Sequence, residues 1–232
     1  MSRFLRALVV VVALTAAACS QSESVTAPPV AAAPAAAPVA APALLAARPR
    51  IVFLGDSLTA GYGLDLEQSV PALIQKHLDA EGYTYEVVNA GVSGDTSAGG
   101  LRRLEWSLDG DVRILVIELG ANDGLRGLPV VGMKQNLKTI IGKAKERGID
   151  VLLTGMEAPP NYGPAYTADF RRAFRDLAGE ERVAFLSFYL DGVAGNPSLN
   201  IADGMHPNPA GAHIVEANLW QALRPMLRRQ DR

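Results

Sequence analysis

The chain has 232 residues, 49% of them apolar, with a formal charge of −2; that is room for one domain of ordinary size with a substantial core. An isoelectric point near 5.9 leaves no basic excess for nucleic acid, so nucleic-acid partners are not expected. A single cysteine, Cys19, excludes an intrachain disulfide and a cysteine-based metal cluster.

In chain order, residues 1–18 read as a signal peptide. Arg3 and Arg6 make a positive start, and the apolar run over 7–18 is too short to span a bilayer. Ala16-Ala17-Ala18 meets the small-residue cleavage rule directly before Cys19. The arrangement resembles a bacterial lipoprotein signal, with Cys19 as the lipidated residue, although Ala16 stands where such signals usually carry leucine. The alternative is export and cleavage without lipid. Residues 19–49 are rich in alanine and proline. Regular prolines forbid a continuous helix, and the small side chains offer little to bury, so an extended tether is expected. At ~3.1 Å per residue it would reach on the order of 90 Å.

From residue 50 onward apolar runs alternate with amphipathic ones. The runs 51–54, 85–89, 112–118, 151–154 and 183–188 are nearly continuous, as in strands buried on both faces of a parallel sheet. Helices are expected over 70–81, 97–108, 131–147, 167–179 and 209–228, with Gly82 and Gly148 as stops. Five strands, each followed by a helix, imply one doubly wound α/β domain over 50–232, with its site beyond the carboxyl ends of the strands.

The chemistry-bearing residues fall on that edge. Gly55-Asp56-Ser57 follows the first strand, and Ser57 is a candidate nucleophile; Asp56 reads as a turn or cap residue. Gly91 to Thr96 follows the second strand, and the Gly94 N–H, just ahead of a helix, is placed to donate to a developing oxyanion. Asn122 follows the third strand with an amide suited to the same task, though Asn122-Asp123 also serves as ordinary loop sequence. Asp203 and His206 lie three apart after the fifth strand, a spacing that brings carboxylate and imidazole to one side. Of the three histidines, His77 sits in a helical pattern without a local partner, and His213 reads as structural on the last helix.

Gly-Asp-Ser-Leu, the glycine of Ser-Gly-Asp-Thr, Gly-Ala-Asn-Asp and Asp-Gly-Met-His, in this order, resemble the four blocks of the SGNH (GDSL-type) hydrolases. The match is closest to the bacterial multifunctional thioesterase/lysophospholipase/arylesterase group, and the stretches 89–104, 118–127 and 158–163 extend it. The resemblance implies a flavodoxin-like three-layer α/β/α sandwich with a five-stranded parallel sheet. It also implies Ser57 as nucleophile, Asp203 and His206 as its partners, and Ser57, Gly94 and Asn122 as the oxyanion hole. Pro159, Pro160, Asn161 and Tyr162 match a segment lining the acyl-binding side. The implied activity is hydrolysis of aryl and short-acyl esters, lysophospholipids and thioesters by a periplasmic monomer without metal or other cofactor. Two alternatives stay open: an O-deacetylase of sugars or polysaccharides on the same triad, and a non-catalytic tethered binding module.

Overall fold

The structure, a computed structural model, describes residues 48–228; the signal peptide, Cys19 and most of the tether lie outside the described residues. The five apolar runs become strands β1 (Arg50–Gly55), β2 (Glu86–Gly91), β3 (Val112–Glu118), β4 (Asp150–Thr154) and β5 (Ala184–Leu186). All are parallel, in the order β2-β1-β3-β4-β5. Between β1 and β2 lie α1 (Ser57–Ala60) and α2 (Val70–Ala80); α3 (Ser97–Ser107) follows β2. Next come α4 (Ala121–Leu125) and α5 (Val130–Glu146) after β3, α6 (Pro164–Glu181) after β4 and α7 (Pro209–Leu223) after β5. Helix α2 packs with α7, while α3, α5 and α6 pack side by side, so a helical layer covers each face of the sheet.

Burial on both faces holds for the three inner strands. Ile51 to Leu54, Ile114 to Ile117 and Leu152 to Leu153 are almost wholly inaccessible. It does not hold for β2 and β5, which are the edges and are only half-buried. Strand β5 is also shorter than the apolar run suggests, because the chain leaves the sheet after Leu186. Helix α6 begins at Pro164, earlier than expected, since a proline suits the first helical position. Helix α7 stops at Leu223 because Pro225 cannot continue it, and a 3-10 turn over Arg224–Met226 follows.

His77 has the partners its sequence neighbourhood did not suggest. Its Nδ1 lies 2.7 Å from Glu216 of α7 and its Nε2 3.5 Å from Glu81. The ring stacks on Trp220 at 3.8 Å, pinning α2 to α7. His213 lies exposed on α7, as expected.

Candidate active site

The site begins where β1 turns into α1. A Cβ on Gly55 would stand 1.9 Å from Thr59 Oγ1 and 2.7 Å from Glu118 Oε2, so only glycine lets the chain fold back this tightly. Asp56 then caps α1, its Oδ1 accepting the Leu58 N–H at 3.0 Å. That cap makes Ser57 the first residue of the helix, at the carboxyl end of the sheet.

The imidazole comes from the other end of the chain. His206 Nε2 lies 2.8 Å from Ser57 Oγ, and its Nδ1 lies 2.6 Å from Asp203 Oδ2. Asp203 Oδ1 accepts the N–H groups of Met205 and His206 at 2.9 and 3.0 Å. Those N–H bonds, His206 foremost, bring the Asp203 carboxyl down from 3.8 to about 2. The aspartate therefore stays ionised and holds the proton on Nδ1, leaving Nε2 to accept from the serine. The loop carrying the pair is closed at its neck by bonds from Ile201 N–H to His206 O (2.8 Å) and from Asn208 N–H to Leu199 O (2.9 Å). Tyr62 packs against the His206 ring with centroids 4.7 Å apart.

Gly94 and Asn122 border the same cavity as Ser57. Gly94 has φ +83°, and Arg126 holds its carbonyl at 2.7 Å. Thr96 caps α3, its hydroxyl accepting the Gly99 N–H. Asp95 pairs with Arg103 at 2.6 Å, and the same guanidinium donates to the carbonyls of Ala90 (2.6 Å) and Gly55 (2.7 Å). Asn122 directs one N–H to Asp56 Oδ2 at 3.0 Å. Its neighbour Asp123 is buried and accepts from the N–H and hydroxyl of Ser97, which anchors the Asn122 segment to α3.

Beneath the nucleophile turn lies a buried acid. Glu118, at the end of β3, is wholly inaccessible. Its Oε2 accepts from the Asp56 N–H (3.2 Å) and the Thr59 hydroxyl (2.8 Å). Burial, then the Asp56 charge, pushes the Glu118 carboxyl well above 4.5; burial also raises Asp56, against the pull of the Leu58 N–H. The Tyr189 hydroxyl is buried near both carboxyls and is raised well above 10 for the same reason.

The cavity in front of Ser57 has a volume of about 900 Å³, near the upper end for small-molecule sites. Its wall is largely apolar, with Leu58, Leu125, Met156, Phe188, Leu190 and Met205. Pro159 and Pro160 border it; Asn161 and Tyr162 do not. The Tyr162 hydroxyl donates to Leu125 O at 3.1 Å, and its ring leans on Tyr166. This tyrosine therefore braces the wall from outside.

Comparison with known proteins is consistent with this geometry. The family model described as GDSL-like Lipase/Acylhydrolase matches residues 53–214. The chain belongs to that family. Esterase TesA of Pseudomonas aeruginosa is 46% identical over 183 residues, covering 78% of this chain and 91% of that protein. The thioesterase 1/protease 1/lysophospholipase L1 of Escherichia coli K12 is 35% identical, covering 78% and 86%. The crystal structure of the psychrotrophic esterase EstA from Pseudoalteromonas sp., inhibited by monoethylphosphonate, superposes with a TM-score of 0.73. It is 35% identical and covers 76% of this chain and 97% of that one. Members of this family hydrolyse acyl esters, and the three-layer sandwich read from the sequence is the fold observed.

Ser57, Asp203, His206, Gly94 and Asn122, drawn from four separate blocks, meet at one site. Sequence reasoning passed over Glu118, Arg103 and most of the cavity wall. An acid directly after the buried apolar run Ile114 to Ile117 was the signal for Glu118. The wall residues carry no such mark, since an apolar side chain beside a cavity reads like one in the core.

Proposed function

We propose that the chain is an exported serine esterase that cleaves carboxylic esters through an acyl-Ser57 intermediate. The observation that carries this reading is the unbroken contact Asp203–His206–Ser57, at 2.6 and 2.8 Å, opening on a large apolar cavity. Ser57 Oγ attacks the ester carbonyl as its proton passes to His206 Nε2, and Asp203 stabilises the imidazolium. The N–H groups of Ser57, Gly94 and Asn122 hold the oxyanion. His206 then gives the proton to the leaving oxygen or sulfur. Water, deprotonated by the same imidazole, releases the acid and restores the serine.

The apolar wall favours an alkyl or aryl acyl group over acetate, which supports lysophospholipids and aryl esters ahead of acetylated sugars. The relatives named esterase and thioesterase/lysophospholipase point the same way. The N-terminal signal and the alanine- and proline-rich stretch support a periplasmic location with a tether through Cys19. Among the described residues no helix is long and apolar enough to cross a membrane.

The test is hydrolysis of p-nitrophenyl esters of increasing chain length by the purified chain, with Ser57→Ala beside it. Turnover should peak on a chain longer than acetate and fall about 10⁴-fold or more in the variant. Equal turnover by Ser57→Ala would overturn the reading.

A further inference from the structure

Asp56 and Glu118 are buried carboxyls with no cation paired to either among the described residues, and the reaction as written uses neither. Their contacts reach the oxyanion hole. A carboxylate only accepts hydrogen bonds, so Asp56 Oδ2 fixes which end of the Asn122 amide faces it: the NH₂ group, at 3.0 Å. One N–H is thereby committed, and the other is held in a single direction. Glu118 in turn grips Asp56, taking the N–H of its backbone and the hydroxyl of Thr59 on one oxygen. Its other oxygen, Oε1, is buried with no donor to receive, which is where a neutral acid carries its own proton.

We propose that Asp56 and Glu118 form a carboxyl pair that positions the oxyanion hole, Asp56 aiming the free N–H of Asn122 and Glu118 seating Asp56. Both are positioning residues, since they act through Asn122 and the Ser57 turn and touch no reacting atom. The inference rests on Asn122 as an oxyanion donor. It extends that reading to residues taken, in the sequence, for a turn former and the end of a strand. Glu118 keeps its proton and donates it in a hydrogen bond to the Asp56 carboxylate, so the aspartate stays an acceptor although it is buried beside a second carboxyl. That hydrogen bond keeps the two acids from repelling each other, and no bond to the substrate changes.

The experiment is a set of double-mutant cycles on p-nitrophenyl ester hydrolysis by the full chain, using Asp56→Asn, Glu118→Ala, Glu118→Gln and Asn122→Ala. Asp56→Asn keeps an oxygen for the Leu58 N–H, but its new amide faces Asn122 donor to donor and turns the Asn122 amide over. Asn122→Ala alone should lower kcat by ~10²–10³. Asp56→Asn should lower kcat by roughly ten- to a hundredfold with KM little changed, and by less than about twofold when Asn122 is already alanine. Glu118→Ala should show a loss of the same kind, and Glu118→Gln, which can both accept and donate, should recover most of it. Burst amplitude of p-nitrophenol and the melting temperature show whether each variant is folded and its serine competent. Losses that multiply in full in the Asn122→Ala background, or that appear in KM, would overturn the proposal, as would Glu118→Gln falling as low as Glu118→Ala. Unchanged kcat in Asn122→Ala would instead show that Asn122 is no oxyanion donor. The underlying reading would then fail, and the proposal with it.

Discussion

Asp203 uses both of its oxygens, one on the imidazole and one on two backbone N–H groups. The first contact sets the tautomer, and the second keeps the carboxylate from swinging away. Asp203→Asn preserves the shape but offers an amide where an anion is needed, so kcat should fall by about 10³–10⁴ while the chain still folds. The direction of its pKa gives a second check. Because the folded value lies near 2 and the ordinary one at 3.8, the stabilisation is present above pH 3.8 and drains away towards pH 2. The melting-temperature gap between the native chain and Asp203→Asn should therefore be flat above pH 5 and close only in that acid window.

At the scale of elements, the site depends on how the ends of β1 and β2 are held beside α3. Arg103 does this with one guanidinium, bonding Asp95 and the carbonyls of Gly55 and Ala90. A lysine has the charge but not the planar fork, and it cannot meet three acceptors in those directions. Arg103→Lys should cost about 1.5–3 kcal/mol, a fall of roughly 3–10 °C in melting temperature, measurable by calorimetry. What the sequence made legible here was local. Each inner strand is a run of apolar residues, each helix a period with a stop, and Ser57, Gly94 and Asn122 are short patterns after strands. The residues that stayed hidden are set by distance along the chain. Glu118 meets Asp56 across 62 positions, and His77 meets Glu216 across 139. Edge position, which left β2 and β5 half-buried, is likewise a property of the sheet order rather than of either strand.

At the scale of the molecule, Glu118 makes stability depend on pH in the opposite sense to Asp203. The unfolded chain releases this proton near 4.5, while the folded chain keeps it, with Asp56 and Tyr189 facing it and His206 acting on Asp56. The folded state then binds the extra proton, so stability falls as pH rises above 4.5. Glu118→Gln removes that dependence, and its melting temperature relative to the native chain should climb as the pH rises above 4.5. A constant difference across that range would mean that Glu118 ionises as it does in water. The loop between Leu199 and Asn208, closed at its neck, has a consequence for how the enzyme can be silenced. Base and orienting acid ride on the same short stretch, 149 residues from the serine they serve. A shift of the loop as one body would move both together, so the histidine would leave the serine without losing its aspartate. Inactivation by that route would be reversible reseating rather than chemical damage, and it would leave the sheet and the nucleophile turn undisturbed.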